Sequence, residues 1–483
     1  MRLFDTDVQE LKYKIINEVV RLAMKDKVKD AYYEVPRKII PGPKATMRCC
    51  IYKERAIVEE RLNYVIGSQE GQDNVVHVID IACDECPVDR FTVTETCRGC
   101  IAHRCFSVCP KGAISFVDRK AKIDKEKCIE CGKCMNICPY KAITENVRPC
   151  IRGCKPGAII IDENKKAKID DKKCIECGAC VYNCPFGAMV DESYVLDAIE
   201  ILKGSDQGKN YKVYAAIAPA IVSQFTYAKI EQIVAGLKIM GFHTVVEVAL
   251  GADIVANKEA KELAEKGFLT SSCCPSFVRY IEINYPEMVP HISHNVSPMI
   301  EIANLIKLTD ETAKVIFIGP CISKKAEYKR QVNSGNVDCV ITFEELQALL
   351  DGMDIDVETL PEQSLDNASY YGRIFARSGG LSEAVCQVMK EENIDFEVKA
   401  EICDGIEQCK MALLKASKGK LDKNFIEGMA CEGGCINGAA CLHHGPKNRL
   451  EVDKYGMQAI EKKIQDSLIL KPLINKGEFL TKK

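Results

Sequence analysis

The most unusual feature of this 483-residue chain is its 28 cysteines. Sixteen of them lie between residues 83 and 184, and most of the others fall in three short motifs further along the chain. In the reducing cytosol such clustered cysteines bind metal or do redox chemistry, whereas in secreted proteins they form disulfides. The opening residues MRLFDTDVQELKYK carry acids early and contain no apolar stretch, so we expect no signal peptide and a cytoplasmic protein. The cysteines therefore predict metal centres.

Two cysteine runs match the ligand pattern of bacterial ferredoxins, Cys-x-x-Cys-x-x-Cys-x-x-x-Cys-Pro. In that pattern three thiolates bind one 4Fe–4S cluster, and the fourth binds the other cluster of the pair. A zinc site needs only four ligands at a simpler spacing, so two complete runs argue against zinc. The two runs comprise Cys128, Cys131, Cys134 and Cys138, and Cys174, Cys177, Cys180 and Cys184.

The cysteine-rich region contains a duplication, because residues 105–143 are echoed by residues 150–189 with an offset of 45 or 46 residues between their cysteines. In the first copy, further cysteines precede the run at the separation expected of a two-cluster ferredoxin. Three clusters are then predicted: Cys97, Cys100, Cys105 and Cys138 bind the first, Cys109, Cys128, Cys131 and Cys134 the second, and Cys154, Cys174, Cys177 and Cys180 the third.

The remaining cysteines predict a fourth cluster. The second copy lacks the two cysteines that should precede Cys150, and Cys83-x-x-Cys86 is the unused pair. We therefore assign a fourth cluster to Cys83, Cys86, Cys150 and Cys184. A chain of about four clusters is suited to carry electrons from the surface to a buried site.

Three further cysteine motifs lie in the second half of the chain. Four cysteines from separated segments suffice for another 4Fe–4S cluster, and glycines beside such ligands allow close backbone approach and supply N–H donors. A lysine in an apolar pocket needs an anionic partner. The residues alone thus predict a buried iron–sulfur site with a cation beside it. The motifs are Ser271-Ser272-Cys273-Cys274-Pro275, Gly319-Pro320-Cys321-Ile322-Ser323-Lys324-Lys325-Ala326-Glu327 and Glu427-Gly428-Met429-Ala430-Cys431-Glu432-Gly433-Gly434-Cys435.

These motifs resemble, in order, the three signatures of the catalytic domain of FeFe (iron-only) hydrogenases, and the ferredoxin-type repeats fit the same family. The resemblance covers roughly residues 211–440. It implies an H-cluster, in which a 4Fe–4S cubane is joined to a two-iron subsite that carries carbonyl and cyanide ligands and a dithiolate with a bridgehead amine. By motif position the cubane ligands are Cys274, Cys321, Cys431 and Cys435, of which Cys435 bridges to the subsite.

The resemblance also implies roles for other side chains of the motifs. Lys324 matches the family lysine that donates to a cyanide, and Met429 matches the methionine that lies against the subsite. Cys273 matches the proton-relay thiol, a task that suits a group able to donate and accept without a permanent charge. Glu327 matches an acid paired within its motif, for which a structural salt bridge is the alternative interpretation.

The family's proton relay continues through two glutamates and a serine. Glu259, Glu262 and Ser293 fall at the matching positions. The alternative interpretation for the two glutamates is a solvated helix face.

Several positions depart from the family pattern. Gly319 stands where the best-known members have methionine, and Ser271 and Phe277 stand for the usual threonine and tryptophan. The third motif continues as Gly438-Ala439-Ala440-Cys441-Leu442-His443-His444 in place of Gly-Gly-Gly-Gln-Pro. We interpret the chain as a divergent branch that retains the chemistry. Cys441, His443 and His444 are candidates for an extra metal site, although packing roles are favoured, and we expect Cys49, Cys50, Cys339, Cys386, Cys403 and Cys409 to be small packed residues.

The predicted function is that of a ferredoxin hydrogenase, which interconverts two protons and two electrons with dihydrogen. The resemblance implies ferredoxin as the electron partner and maturation proteins that build the two-iron subsite. A hydrogen-sensing homologue of low activity and a non-catalytic iron–sulfur assembly or electron-transfer protein of the same fold are the alternatives. A net charge of −3 gives no reason to expect nucleic acid or an anionic membrane as a partner. No apolar run approaches the ~20 residues needed to cross a bilayer.

The elements that must position these residues change in character along the chain. Residues 83–204 are short of long apolar periodicity, so we expect bound clusters to hold them together. From about Tyr211, the apolar strands YKVYAAIAP, TVVEVAL and KVIFIGP alternate with amphipathic helices, which is typical of parallel sheets. The sequence thus predicts an α/β catalytic domain of two lobes with parallel sheets around a buried H-cluster, plus small α+β ferredoxin-like iron–sulfur domains. The expected divisions are an N-terminal region of unclear role (1–82), a duplicated ferredoxin-like domain (83–204), the catalytic domain (205–446) and a helical tail (447–483).

Overall fold

The computed structural model describes residues 3–67, 74–331, 336–365 and 367–466. Three helices open the chain: α1 (Asp7–Met24), α2 (Ala31–Ile39) and α3 (Ile51–Ile66). The helix predicted for VQELKYKIINEVVRLAM is confirmed, and it begins where the hydroxyl of Thr6 accepts a hydrogen bond from the Gln9 N–H at 3.2 Å. The apolar face of α1 is fully buried, including Ile15, Ile16 and Val19.

Residues 76–191 form small elements that repeat the duplication seen in the sequence. The four strand pairs β1–β8, β2–β5, β3–β4 and β6–β7 are all antiparallel. The elements are β1 (Val76–Val78), β2 (Phe91–Val93), α4 (Arg104–Val108), β3 (Ile114–Val117), β4 (Lys120–Ile123), α5 (Lys133–Ile137), β5 (Ile143–Glu145), α6 (Pro149–Gly153), β6 (Ile159–Ile161), β7 (Ala167–Ile169), α7 (Ala179–Asn183) and β8 (Met189–Asp191).

We call residues 88–148 the first module, and residues 74–86 together with 149–191 the second module. In the first module β2 pairs with β5, and in the second module β1 pairs with β8. Strand β1 thus lies upstream of the first module in sequence but completes the second module in space. The segment 74–86 therefore supplies to the second module what residues 91–100 supply to the first.

The rest of the chain contains two parallel sheets, as predicted. One sheet has the strand order β10-β9-β12-β13 and the other β11-β15-β14, and all their pairings are parallel. The elements are α8 (Val195–Gly204), β9 (Val213–Ile217), α9 (Ile221–Gln224), α10 (Ile230–Met240), β10 (Thr244–Glu247), α11 (Val248–Lys266), β11 (Leu269–Thr270), α12 (Pro275–Asn284), α13 (Pro298–Thr309), β12 (Lys314–Gly319), α14 (Ser323–Gln331), β13 (Cys339–Thr342), α15 (Phe343–Gly352), α16 (Tyr370–Ile374), α17 (Gly380–Glu391), β14 (Ala400–Asp404), α18 (Ile406–Ser417), β15 (Phe425–Met429) and α19 (Lys447–Gln458).

One predicted strand is shorter than its apolar run. The run TVVEVAL was expected to be a strand throughout, but β10 ends at Glu247 and Val248 begins α11. The first turn of this helix is buried, and a buried helix turn has the same apolar composition as a buried strand. Composition therefore could not locate the change from strand to helix.

One hydrophobic core joins the N-terminal helices to the sheet-bearing region. It contains residues of α1, α2, α3 and α8 together with β9, β12 and β13, but no described residue between Val65 and Val195. Helix α19 packs on the same body, where the Tyr455 hydroxyl donates to Glu247 at 2.7 Å. Residues 467–483 of the predicted tail lie outside the described residues. None of the described helices is long and apolar enough to span a membrane.

Two cysteines lie where packed residues were expected. Cys49 is exposed and Cys50 is half-buried, so that prediction is wrong for this pair. The reason is that Cys50 is the N-cap of α3 and Cys49 precedes it, outside the buried face of the helix. Among the other cysteines expected to be packed, Cys386 is half-buried, and Cys339, Cys403 and Cys409 are buried.

Candidate functional site

The cysteine loops of both modules share one backbone feature. In each case the N–H of an alanine four residues later donates to the cysteine sulfur, at 3.2–3.4 Å. Such N–H donors stabilise the negative charge of a metal-bound thiolate and tune a cluster's reduction potential. The loops are thus shaped to hold an anionic sulfur. The pairs are Cys109 with Ala113, Cys138 with Ala142, Cys154 with Ala158, and Cys184 with Ala188.

In the first module, thiols that are distant in sequence are electrostatic neighbours. Burial raises the pKa of Cys105, and the charges of Cys100 and Cys138 raise it further. Burial likewise raises the pKa of Cys134, with added contributions from Cys128 and Cys131. The structure therefore places members of the first predicted ligand set near one another, and it does the same for members of the second set.

The second module shows the same two groupings. Burial raises the pKa of Cys180 well above its usual value, and Cys177, Cys174 and Cys154 are the first charged neighbours that add to the shift. Cys150 has its pKa raised to about 11 by burial, followed by the charges of Cys184, Cys83 and Cys86. The thiols assigned to the third cluster thus lie near one another, and so do the thiols assigned to the fourth cluster.

The position of Cys83 repeats that of Cys97 in the first module. The Ala121 N–H of β4 donates to Cys97 at 3.5 Å, and the Ala167 N–H of β7, its equivalent in the second copy, donates to Cys83 at 3.3 Å. Arg148, which belongs to no sequence motif, is buried, and its Nη1 lies 3.8 Å from the Cys83 sulfur. A guanidinium there lowers the cost of burying thiolate charge. Its only sequence signal was its place two residues before Cys150.

The cysteines of the three later motifs follow the carboxyl ends of parallel strands from both sheets. Cys274 follows β11 and caps α12, Cys321 follows β12, and Cys431 and Cys435 follow β15. The carboxyl ends of parallel strands are where α/β folds place their binding sites.

These four thiols lie near one another. Burial, followed by the charges of Cys321, Cys274 and Cys435, raises the pKa of Cys431 well above its usual value. The pKa of Cys321 and that of Cys435 are likewise raised, chiefly by burial, to about 11 and about 12. Four half-buried thiols from three segments therefore converge between the two sheets.

The groups of thiols fit the ligand sets of iron–sulfur clusters. Among the described residues, no three His, Cys, Asp or Glu side chains are close enough to hold one metal ion. In a 4Fe–4S cluster each thiolate binds a different iron, so the sulfurs stand further apart than the four ligands of one zinc ion.

Lys324 lies beside the four converging thiols. Its Nζ donates to the Cys273 carbonyl at 3.3 Å and to Glu327 at 2.6 Å, and the charges of Cys321 and Cys273 also favour its ammonium form. An ammonium group has three N–H donors, so one remains for a further anionic acceptor. The pocket therefore fits an anionic group such as a cyanide-bearing subsite. Met429, the last residue of β15, is buried at the same end of the sheet.

The ring of Phe317 fills the space beside Gly319. A Cβ placed at Gly319 would lie 2.5–2.6 Å from that ring, closer than any real Cβ contact. The apolar group missing at Gly319 is thus replaced, at least in part, by a ring from two positions earlier on the same face of β12.

A buried ion network lies directly behind Lys324. The fully buried Lys325 donates to Asp191 at 2.9 Å and pairs with Glu345 at 3.0 Å, and Lys12 of α1 binds the same Asp191 at 2.5 Å. These cations and their hydrogen bonds lower the pKa of Asp191 against the effect of burial. The network joins α1, the end of the second module and the second motif. The sequence pattern gave no sign of this role for Lys325.

The predicted relay residues lie close together, and we call this group the polar path. Burial raises the pKa of Glu259 to about 8, and the backbone N–H and the hydroxyl of Ser272 each donate to its Oε1 at 3.4 Å. The Ser293 hydroxyl donates to Glu262 at 2.9 Å. The pKa of Cys273 is raised well above its usual value by burial, and the next contribution is the charge of Glu259. The solvated-face alternative is wrong for Glu259, which is fully buried.

The outer end of this path reaches solvent. Glu262 pairs with Lys266 at 2.6 Å and accepts the His294 N–H at 3.1 Å, and the His294 side chain is exposed. The inner end, Cys273, lies beside Lys324 and the four converging thiols. The polar path therefore lies between the surface and the four converging thiols.

The second module lies against the same centre. After burial, the charge of Cys274 is one of the contributions that raise the pKa of Cys177. The charge of Cys177 contributes in the same way to the raised pKa of Cys431. A Cβ at Gly178 would lie 2.4 Å from the Ile322 side chain and 3.0 Å from that of Ala439. Gly178 has a φ of +75°, so both its backbone conformation and its surroundings require glycine. The third predicted cluster is therefore adjacent to the four converging thiols.

The altered stretch after Gly438 packs between these parts. Ala440 is buried with Cys180 and Ile322 in one apolar cluster. The Nε2 of His444 donates to the Gly438 carbonyl at 2.9 Å, and its Nδ1 lies 2.8 Å from the Asp5 carboxylate. The sulfur of Cys441 donates to the Ile436 carbonyl at 3.4 Å. These contacts agree with the favoured packing roles.

Comparison with known proteins identifies the kinds of domain present. Residues 211–439 match the family described as iron only hydrogenase large subunit, C-terminal domain. Residues 96–142 match a 4Fe-4S dicluster domain, and residues 127–187 match a 4Fe-4S double cluster binding domain.

Individual relatives include hydrogenases and assembly factors. Iron hydrogenase 1 of Clostridium pasteurianum is 28% identical over 433 residues, which cover 77% of this chain and 72% of that protein. The cytosolic Fe-S cluster assembly factor NAR1 of Kluyveromyces lactis is 40% identical over 94 residues, 20% of each protein. The chain spans 54% and 61% of the length of two other hydrogenases that it matches. A solved structure of the [FeFe]-hydrogenase HydA1 from Chlamydomonas reinhardtii has the same fold, with a TM-score of 0.50, 19% identity and coverage of 59% of this chain and 94% of that one.

Proposed function

Since the chain carries the C-terminal domain of the iron-only hydrogenase large subunit behind ferredoxin-type 4Fe–4S domains, we propose that it is a ferredoxin hydrogenase that interconverts protons, electrons and dihydrogen. The observation that carries the proposal is the polar path from Cys273 through Glu259, Ser293 and Glu262 to the surface. A protein that only stores or transfers iron–sulfur clusters has no need of a buried proton path ending beside its deepest cluster.

The proposed cofactors are held by the cysteine sets described above. Cys274, Cys321, Cys431 and Cys435 hold the H-cluster cubane, and the four groups of the two modules hold four further 4Fe–4S clusters. When bound, the two-iron subsite supplies the metal at which protons and electrons combine. Lys324 would hold the two-iron subsite by donating to one of its anionic ligands. Met429 would present an apolar contact that keeps water away from the subsite.

The protein's own residues deliver the proton. Cys273 gives up its thiol proton toward the pocket and is recharged from Glu259. The Ser293 hydroxyl joins Glu259 to Glu262, which exchanges protons with solvent. Because burial raises the pKa of Glu259 to about 8, its carboxyl carries a proton at neutral pH and can donate it.

Electrons take a separate route. Cys177 of the second module lies near the proposed cubane ligand Cys274. Cys150 of the fourth set is likewise a charged neighbour of Cys180. Successive clusters therefore lie next to one another from the second module to the deepest site. Ferredoxin-type clusters span potentials down to about −700 mV, which reaches the range of the hydrogen couple.

A non-catalytic iron–sulfur assembly or electron-transfer protein is the second candidate. The match to NAR1 and the replacement of the expected methionine by Gly319 favour it. Retention of Cys273 and of the whole path behind it favours the hydrogenase, because those residues would serve nothing in an assembly protein.

The test is hydrogen evolution from reduced methyl viologen by anaerobically purified protein matured with a synthetic two-iron subsite. Infrared spectra of the same sample report carbonyl and cyanide bands. Bands with turnover are expected. Bands with almost no turnover would instead favour a hydrogen sensor. Full cubane content with neither bands nor turnover would favour the assembly protein.

Cys273→Ala separates the relay from cluster binding. We expect turnover to fall by at least about a hundredfold, because one positioned proton-transfer group contributes roughly 10²–10⁴-fold. Iron content and infrared bands should stay unchanged, because Cys273 is not a proposed ligand. Cys441→Ala, a buried cysteine with no assigned relay role, is the matched control and should retain activity. Near-normal turnover of Cys273→Ala would remove the relay assignment.

A further inference from the structure

The first module presents an apolar patch at one end. Ile101 is 98% exposed and Phe106 is 50% exposed, and each directly follows a proposed cluster ligand, Cys100 and Cys105. Large exposed apolar side chains grouped within one short segment are a feature of interaction surfaces.

Basic residues flank the patch in the sequence, and we call them its basic border. Between residues 97 and 119, all of which the structure describes, Asp118 is the sole acid, whereas four residues are basic and exposed and form no ion pair. Unpaired surface cations around an apolar centre are the usual anatomy of a charge-steered docking surface. The four basic residues are Arg98, Arg104, Lys111 and Arg119.

This patch lies at the end of the first module that points away from the rest of the protein. The chain enters the first module at Phe91 and leaves it at Glu145, and these two residues face each other in the β2–β5 pair. Both lie within five residues of proposed ligands of the second module, Cys86 and Cys150. That end of the first module therefore adjoins the second.

The two clusters of the first module divide between its two ends. The Phe91 ring lies 3.3 Å from where a Cβ at Gly132 would stand, between Cys131 and Cys134 of the second cluster. At the opposite end of β2, the Thr94 N–H donates to the Ala142 carbonyl, and the chain turns there into Cys97. The second cluster thus adjoins the second module, and the first cluster, under Ile101 and Phe106, is outermost.

We propose that Ile101 and Phe106, bordered by the four unpaired cations, form the docking surface for an acidic ferredoxin, which passes electrons to the first cluster. The acidic partner follows from the charge of the border, and its redox nature follows from the cluster ligands directly beneath the patch. This inference rests on the proposed function for the use to which the electrons are put. The docking itself is measurable without hydrogenase turnover.

The experiment uses the full chain with all its 4Fe–4S clusters but without the two-iron subsite. A reduced, acidic plant-type [2Fe–2S] ferredoxin is mixed with the oxidised protein in a stopped-flow instrument, because its absorbance differs from that of cubanes. Ile101→Asp should lower the second-order rate constant by about tenfold or more, since a buried apolar contact is replaced by a charge that repels the partner. Reduction by dithionite, which needs no docking, should stay unchanged.

Ile129→Asp is the matched control. Ile129 also follows a proposed ligand in the first module and is exposed, but it belongs to the second cluster at the inner end. It should change the rate constant by less than about twofold. The Arg98→Gln/Arg104→Gln double variant should flatten the fall of the rate constant with ionic strength, because steering acts through these charges.

Three outcomes would overturn the docking proposal: unchanged kinetics of Ile101→Asp, equal losses in both isoleucine variants, or a stable homodimer of the wild type that Ile101→Asp dissociates. The last would assign the patch to a second copy of this chain. Slow ferredoxin reduction only in Ile101→Asp, with no hydrogen evolution after maturation, would sustain the dock and overturn the hydrogenase.

Discussion

Glu259 is the residue whose chemistry depends most on its surroundings. Its side chain is fully buried in α11, and its Oε2 has no hydrogen-bond partner among the described residues. Burial raises its pKa from 4.5 to about 8, although the hydrogen bonds from Ser272 act in the opposite direction. A carboxyl that stays protonated at neutral pH can donate a proton, but it also makes folding depend on pH.

The sign of that dependence follows from proton counts. Between pH 4.5 and 8 the unfolded chain has released the Glu259 proton and the folded protein retains it, so stability falls as the pH rises through this window. Glu259→Gln removes this titration. We therefore expect the apparent Tm of Glu259→Gln, relative to wild type, to rise from pH 5 to pH 8 by an amount corresponding to a few kcal/mol. Glu265→Gln, at an exposed site of α11, is the control, and a pH-independent difference would contradict the prediction.

At this scale the sequence predicts candidate ligand sets but not the residues that surround them. Cluster ligands recur at short fixed spacings because one cubane must be reached by one loop, so Cys128, Cys131 and Cys134 are readable without a structure. Arg148 beside Cys83 and Lys325 beside Asp191 depend on contacts across 65 and 134 positions. No local pattern records such contacts.

At the scale of elements, the duplication places one sequence in two environments. The segment Cys-Ile-Glu-Cys occurs at 128–131 and at 174–177. In the second module Ile175 is 2% exposed and lies in a cluster with Phe277 of α12, and Glu176 is bound by Arg330 of α14. In the first module Ile129 is 55% exposed. The second copy has therefore become an interface with the sheet-bearing region, whereas the first copy remains free.

The two isoleucines give a matched pair of variants. Ile175→Ala should cost about 2–4 kcal/mol, because it opens a cavity where the second module meets α12. Ile129→Ala should change stability by less than about 0.5 kcal/mol, as expected of an exposed site. The readout is the apparent Tm of the iron-loaded protein at a fixed scan rate. Equal effects would mean that the second module is not held by this contact.

Helix α14 provides another matched pair. Lys325→Met leaves Asp191 and Glu345 buried near each other with one cation fewer, which should destabilise the protein by about 3–5 kcal/mol. Lys329→Met removes a partly exposed partner of Glu192 from the same helix and should cost less than about 1 kcal/mol. If both variants unfold at the same temperature, the buried network does not hold α1, the second module and α14 together.

The N-terminal helices show what element patterns leave open. The spacing of apolar residues in α1 fixes that one face is buried, and the structure agrees. The pattern does not indicate which element covers that face, because one apolar surface can pack against many other apolar surfaces. The structure gives the answer: α1 packs within the same core as β9 and β12, so residues that looked like a separate region belong to the sheet-bearing body.

At the scale of the whole molecule, two kinds of stability are combined in one chain. The main core includes the N-terminal helices and the strands of the larger sheet, with no described residue between Val65 and Val195. The second module shares a smaller apolar cluster with its surroundings, because residues of β1 and β8 pack there with Ile57, Ile322 and Ala440. The first module has few buried side chains, among them Ala113, Ile114 and Ile143. What holds the first module together must therefore be largely its proposed clusters.

Removal of iron should separate these parts in order of their cores. In iron-free protein, amides of residues 97–147 should exchange with deuterium at rates close to those of an unfolded chain, because cluster binding supplies most of the folding free energy of such small metal-dependent domains. Amides of β9, β12 and β13 should keep their protection, since the core around them contains no proposed ligand except Cys274 and Cys435 at its edge. Hydrogen exchange with mass spectrometry measures both in one sample, and the iron-loaded protein is the control. If the first module stays protected without iron, its stability comes from packing, and its cysteines would be free to bind clusters without shaping the fold.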